Sequence, residues 1–284
     1  MAPFSLLAPA TEEEALALLA EGRSGSLAVL AGGTDLLVDL EERRLVPERV
    51  LSLRRLPWRT HAWEGDGLHL GSTEPLVDLE ADPELAVRFP ALAEAIAAVG
   101  SPALRRQATV GGNLGRAAPA SDLTPVLLVL DAEVELLGPS GARWCPVDAF
   151  LRASRETDLR PGELIRSVRL PEPRPASAYL WQRVRPANDI SQIGVAVAFS
   201  PGDRRWRVGL GGVPPRPVLV PEVARELAGP QPSRQEILAA SEVLGGHPGL
   251  VTDRRATEEH RRRLASALCS RALRSVRAAE VRRP

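Results

Sequence analysis

Two short segments hold the residues most capable of chemistry: Leu30-Ala31-Gly32-Gly33-Thr34-Asp35-Leu36 and Thr109-Val110-Gly111-Gly112-Asn113. In each, an apolar run stops at a glycine pair, and a residue with a hydroxyl or an amide follows. A strand that ends in Gly-Gly and feeds a helix leaves backbone N–H groups pointing out of the turn, and glycine lets that backbone come close to a ligand. A helix N-terminus adds a positive field. Together these make a site for pyrophosphate oxygens. Thr34 could donate its hydroxyl to the same anion, or cap the helix with Asp35. Thr109 supplies the corresponding hydroxyl in the second segment, and Asn113 an amide able to donate and accept. Gly-Gly pairs also occur in "GLGGVP" (209–214) and "LGGHPG" (244–249), where a turn accounts for them. Neither segment contains G-x-G-x-x-G or G-x-x-x-x-G-K, which excludes a typical Rossmann loop and a P-loop. The residue chemistry alone reads as a nucleotide-type diphosphate held between two glycine loops.

The surrounding pattern must supply strands and helices to position them. Thr11 and Glu14 read as a capping box opening a short amphipathic helix that closes at Gly22. "LAVLA" (27–31) reads as a buried strand, and "DLLVDLEERR" after the first glycine pair has helical spacing. "RVLSL" and "LHLGS" predict strands. From Pro75 to Gly100 the pattern is helical, broken at Pro83 and Pro90. "TPVLLVLDAEVELLG" predicts a helix passing into a strand, and "LIRSVRL" (164–170) a further strand. The proline-rich "PEPRPASA" (171–178) reads as a linker. Beyond it, "AYLWQRV", "SQIGVAVAF" and "RWRVGLGGV" predict a three-strand antiparallel sheet, with helices near 220–228, 233–244 and 256–281 behind it. The fold class is α+β. The eight arginines from Arg261 onward read as a solvated helix face, with a partner interface as the alternative.

Composition narrows the chemistry. The 284 residues suffice for two domains with sizeable cores. Lys+Arg and Asp+Glu are both 36, a balance without the basic excess of a nucleic-acid binder. No apolar run reaches membrane-spanning length, and the first residues lack a signal pattern, so the cytoplasm is the expected compartment. Cys145 and Cys269 are isolated, and the four histidines show no ligand spacing, so no metal site or iron–sulfur cluster is expected on this chain. Any electron-carrying cofactor would therefore be organic. Every basic residue is arginine, which removes lysine Schiff-base chemistry. The only two asparagines, Asn113 and Asn188, fall in "GGNLG" and "PANDIS", a placement that suggests side-chain amides with specific tasks.

The ordered set "LAGGTDLL", "TVGGNLGRAAPASDLTPVLLVLDAEVEL", "ELIRSVRLP", "RVRPANDISQIGVAVAF" and "RVGLGGVPPRPV" resembles the FAD-binding, or medium, subunit of the molybdenum hydroxylases of the carbon monoxide dehydrogenase and xanthine dehydrogenase type. The resemblance runs in order over nearly the whole chain. It implies a vanillyl-alcohol-oxidase-like FAD domain in two subdomains (1–55 and 56–172), then a C-terminal α+β domain (177–284) like that of carbon monoxide dehydrogenase flavoproteins. It implies FAD between the subdomains, with Leu30 to Leu36 against the diphosphate and Thr109 to Asn113 as the opposing wall. Asp122 would accept from a ribose or ribityl hydroxyl, and Leu164 and Ile165 would meet the cofactor through their backbone. Many relatives carry a lysine before an R-x-x-x-D segment; here "LWQRV" has none, which makes Arg183 the candidate for a charge near the flavin and Trp181 a core or interface aromatic. The resemblance also implies two partners, a molybdenum–pterin large subunit and a small subunit with two [2Fe–2S] clusters, with a dimer of heterotrimers among the assemblies it allows. Electrons from those clusters would pass through FAD to NAD+, a quinone or oxygen, with no catalytic residue beyond the flavin itself.

Two other readings have distinct signatures. A self-sufficient flavin oxidoreductase should carry its own pocket of histidine, tyrosine or lysine, whereas this chain has one tyrosine, Tyr179. A non-catalytic scaffold of the same fold would need no flavin, yet both glycine loops and Asp122 are intact. The last helix and "VRPANDIS" are the candidate partner contacts. Gly32→Val or Gly112→Val is expected to abolish flavin binding in a folded chain, as measured by flavin content after purification.

Overall fold

The computed structural model describes residues 1–22, 25–174, 176–185 and 189–281. Asn188, and with it part of the "VRPANDIS" segment, lies outside the described residues.

The chain begins with β1 (Ser5–Leu7), α1 (Glu12–Ala20), β2 (Leu27–Leu30), α2 (Leu36–Glu41) and β3 (Arg49–Ser52), whose strands form a parallel sheet in the order β1-β3-β2. Thr11 caps α1 by accepting from the Glu14 amide, while the Glu14 carboxylate reaches back to the Ala10 amide at 2.8 Å. The expected buried strand at β2 is an edge strand: Val29 is 40% exposed and only Ala28 is buried.

Next come β4 (His61–Glu64), β5 (Gly67–Gly71), six helices, then β6 (Glu133–Gly138), β7 (Gly141–Pro146), the short α9 (Val147–Phe150), β8 (Leu151–Ala153), β9 (Glu156–Thr157) and β10 (Leu164–Pro171). The six helices are α3 (Leu76–Glu80), α4 (Pro83–Arg88), α5 (Pro90–Ala98), α6 (Pro102–Arg105), α7 (Val110–Arg116) and α8 (Leu123–Val129). Prolines at the start of α4, α5 and α6 set φ where an amide would be unpaired anyway. The antiparallel sheet runs β4-β5-β10-β6-β7, and its apolar face packs on the helices in one continuous core.

The C-terminal part holds β11 (Ser177–Gln182), β12 (Ile193–Ser200), β13 (Arg205–Gly211), β14 (Val218–Leu219), α10 (Pro221–Arg225), α11 (Arg234–Gly245) and α12 (Glu258–Val281). Its sheet has four strands rather than the expected three, because Val218–Leu219 adds an edge pairing to β13. One face packs on α11 and α12. The other is covered by α8 and α5, which belong to the preceding part of the chain. Every residue of α8 is buried, and a Cβ at Gly209 would come within 2.6 Å of the Pro125 carbonyl oxygen. Two-sided burial explains why β12 reads as a near-continuous apolar run.

Arg263, Arg271 and Arg274 are exposed, as expected of a solvated face, and Arg282 and Arg283 lie outside the described residues, but Arg261, Arg262 and Arg277 depart from it. Arg261 is buried, donates to the carbonyls of Gln192 and Gly212, and pairs with Asp253 at 2.7 Å. Arg262 and Arg277 donate to the Gly245 and Pro232 carbonyls. Cationic side chains here tie α12 to neighbouring loops. No helix among the described residues is long and apolar enough to cross a membrane.

Both cysteines are free and buried, as expected of small apolar core residues. Burial pushes the Cys269 thiol up to about 12 and raises Cys145 as well. Only about one Cys269 in ten thousand would then be thiolate at pH 8. The native protein is expected to show no rapid reaction with a thiol-specific chromogenic disulfide at pH 8, and two reactive thiols in denaturant.

Candidate functional site

The two glycine segments meet. Together with the start of β10 they line a cleft of about 440 Å³ between the parallel and antiparallel sheets. β2 delivers the first segment, whose turn requires Gly33 at φ +84. Among the described residues, none accepts a hydrogen bond from the amides of Gly32, Gly33, Thr34 or Asp35. Four consecutive backbone amides without acceptors are donors available to a ligand. The expected capping of α2 by Thr34 or Asp35 is absent: Asp35 is the cap residue but sits in a helical conformation without a side-chain bond to the helix. Its carboxylate pairs instead with Arg116 at 3.2 Å.

The second segment is built differently. Thr109 is extended and caps α7, its hydroxyl accepting from the Gly112 amide at 3.0 Å. That leaves the hydroxyl proton free to donate. Asn113 accepts from Ser121 Oγ at 2.6 Å through its Oδ1. Ser72, at the end of β5, contributes a hydroxyl with no protein partner although the residue is 1% exposed.

The four glycines do four different things. A Cβ on Gly32 would collide with the Gln107 carbonyl on the opposite wall, and one on Gly111 would lie 2.5 Å from Ser72 Cβ. Gly33 is needed for its backbone angle. Gly112 alone looks into relatively open space, with Thr109 Oγ1 at 3.0 Å and Ala31 Cβ at 3.8 Å. Gly32 thus lets the two walls touch, and Gly111 lets α7 pack on the end of β5 within the second wall.

Of the other candidates, Ala31, Leu36, Leu164 and Ile165 line the cleft. Leu30 and Val110 are not among the lining residues; Val110 is fully buried in the core. Asp122 and Arg183 lie outside the lining too, in a buried cluster behind it. Asp122 Oδ1 accepts from Tyr179 at 2.7 Å and Ser191 at 2.6 Å, and Oδ2 from Arg183 Nη2 at 2.9 Å. Arg183 also donates to the Ala98 carbonyl and to Ser191 Oγ. Burial pushes the Asp122 carboxyl above the usual aspartate range despite these donors, and holds the Tyr179 hydroxyl protonated. Trp181 stacks on Tyr179 with ring centroids 5.6 Å apart and packs against the core. In this arrangement Asp122 spends its acceptors on the C-terminal part of the chain.

Sequence reasoning missed Arg116, Asp39 and Glu163, all in the lining. Asp39 is 2% exposed and accepts from Arg44 Nη1 at 2.7 Å and from Arg116 Nη1. Arg116 holds its carboxyl below the ordinary aspartate range. Glu163 receives both Nε and Nη2 of Arg143 at 2.7 and 2.8 Å, which lowers its carboxyl likewise. Arginine directly after "GGNLG", and an aspartate at helical spacing after "GGTD", were the available signals.

A dinucleotide with flat rings at its ends needs apolar walls flanking a set of anion donors. The residues present fit it. Val29, Leu45, Val99, Leu104 and Ile165 are among the apolar lining residues, and the free amides with the Ser72 and Thr109 hydroxyls are the available donors.

Residues 2–173 match the family described as the FAD binding domain in molybdopterin dehydrogenase, and residues 178–276 that described as the CO dehydrogenase flavoprotein C-terminal domain. The carbon monoxide dehydrogenase medium chain of Hydrogenophaga pseudoflava is 28% identical over 276 residues, 95% of this chain and 96% of that one. The nicotinate dehydrogenase FAD-subunit of Eubacterium barkeri is 30% identical over 250 residues, 85% of this chain and 84% of that one. A solved carbon monoxide dehydrogenase from Hydrogenophaga pseudoflava superimposes with a TM-score of 0.90 at 26% identity, covering 98% of this chain and 99% of that one. The two-part α+β fold expected from the motifs is the fold of these proteins, and the chain belongs to the FAD-binding subunit family of the molybdenum hydroxylases, as an oxidoreductase flavoprotein whose cofactor is FAD.

Proposed function

We propose that the chain carries FAD in the cleft between its two glycine segments and serves as the electron-transfer subunit of a molybdenum-containing hydroxylase. The observation that carries this reading is the convergence of four amides without acceptors on the wall facing Thr109 and Asn113. Bound FAD would supply a carrier that can be loaded by single electrons from the iron–sulfur clusters of a small partner subunit and unloaded to NAD+, a quinone or oxygen. A molybdenum–pterin large subunit would oxidise the substrate.

The chain's own residues bind and orient. Gly32, Gly33, Thr34 and Asp35 present backbone donors to the diphosphate, Thr109 its free hydroxyl proton and Asn113 its amide. Leu164 and Ile165, at the start of β10, form the apolar floor. Two of the lining carboxyls, Asp39 and Glu163, are held below their ordinary range by arginines. That suits electron relay rather than acid–base chemistry, which leaves the chemical step to a partner. The names of the relatives support the reading, since they denote medium or FAD-carrying chains of carbon monoxide and nicotinate dehydrogenases.

Acid release from the purified protein is expected to yield FAD at about one per chain, with the visible absorption of an oxidised flavin. A chain without flavin, both alone and when co-expressed with its partner subunits, would defeat the reading. The glycine variants separate binding from folding. Gly112→Val should lose flavin with little change in Tm, because its new side chain points toward the cleft. Gly32→Val should lose flavin and also melt lower, because it pushes the Gln107 backbone away.

A further inference from the structure

The cleft has a charge problem. Three of its lining residues are carboxylates, Asp35, Asp39 and Glu163, while a dinucleotide's diphosphate carries two negative charges of its own. Glu163 is already matched by the two-pronged Arg143, which does not line the cleft. Among the described residues, Arg116 is the one cationic side chain that lines the cleft.

Its position is specific. Arg116 ends α7, the helix that carries Gly111, Gly112 and Asn113, and reaches across to α2 after the first glycine pair. There it donates through Nη1 and Nη2 to Asp39 and pairs through Nε with Asp35 at 3.2 Å. Arg44 joins from the far side of Asp39. The guanidinium thus bridges the two walls, with its side chain 20% exposed. A guanidinium has five N–H donors, so at least two remain for a ligand.

We propose that Arg116 is a cofactor-positioning residue: it clasps the two glycine segments across the cleft and makes an acidic wall acceptable to a diphosphate. This rests on the reading that the diphosphate lies between those segments. The lysine missing near Trp181 has no bearing on it, since Arg116 acts at the linker rather than at the flavin ring. Arginine suits the role because a planar fork can hold two carboxylates and still face an anion, which a lysine ammonium cannot do with the same geometry.

The test is the rate of flavin release from the holoprotein, followed by the rise in flavin fluorescence at low and high salt. Arg116→Gln is expected to release flavin roughly ten- to a hundredfold faster, the range for losing a charge-assisted hydrogen bond, with a weaker dependence on salt. Arg116→Lys should fall between. Adding Asp35→Asn to Arg116→Gln should recover part of the loss, because it removes a carboxylate now facing the anion; a merely structural arginine would show no such rescue. Wild-type release and salt dependence in Arg116→Gln, with flavin absent from Gly112→Val, would overturn the proposal and leave the cleft in place. Full flavin retention in Gly112→Val would overturn the cleft reading and this proposal with it. If Arg116→Gln does not fold, Arg116→Lys decides, and a wild-type rate there counts against the clasp.

Discussion

The structure depends on two backbones touching without side chains between them. Gly32 lies against the Gln107 carbonyl, a main-chain contact that crosses from the parallel-sheet part to the second wall, while Gly111 lies against Ser72 within that second wall. A larger residue at Gly32 would wedge the walls apart, and one at Gly111 would push α7 off the end of β5 within one wall. The same constraint leaves the first segment with nothing to bond. Its turn is held by packing and by Gly33's backbone angle, and its amides face the space between the walls. Buried or half-buried amides without partners are costly, and that cost is recovered when an anion arrives. The binding surface and the contact between the two sheets are therefore one design.

Arginine carries the electrostatics throughout. In a chain with 36 basic residues and no lysine, carboxylates near the cleft are met by forks: Arg116 and Arg44 on Asp39, Arg143 on Glu163 and Asp158, Arg183 on Asp122. Each fork bonds two or more acceptors, so it fixes orientation as well as charge. The consequence for function is negative and useful: Asp39 and Glu163, with carboxyls held below their ordinary range, are poor proton carriers.

What could be read in the sequence was local. The glycine pairs, the Thr11 cap and the alternation or apolar runs of β5, β10, β12 and β13 all depend on residues a few positions apart, whereas the Thr109 cap of α7 emerged only in the structure. What could not be read was pairing across the chain. Arg116 and Asp39 are 77 positions apart, and Arg183 and Asp122 61, so no periodicity links them. The same limit explains the third strand's extra neighbour: Val218–Leu219 is too short to signal a strand and is one only because β13 offers an edge. It also explains Asp122. Its residue type suits a cofactor contact, but the C-terminal sheet brings Tyr179, Ser191 and Arg183 to it from beyond the linker. The continuous burial of "LTPVLLV" was visible as an apolar helix, yet its spacing could not tell that two different sheets would cover it.

Proton accounting behind the second glycine segment assigns one more role. Ser121 Oγ accepts from the Thr124 amide at 3.1 Å and from the Thr124 hydroxyl at 2.9 Å, which uses both of its lone pairs. In this network the Ser121 proton goes to Asn113 Oδ1 at 2.6 Å. With Oδ1 turned to Ser121, the NH2 group is what Asn113 has left to offer, and a donor is what a diphosphate requires. Ser121 thus turns its neighbour in the cleft into a donor while Asp122, the next residue, is anchored to the C-terminal sheet. Ser121 bonds to the second glycine segment and Asp122, its chain neighbour, to Tyr179, Arg183 and Ser191 of the C-terminal part.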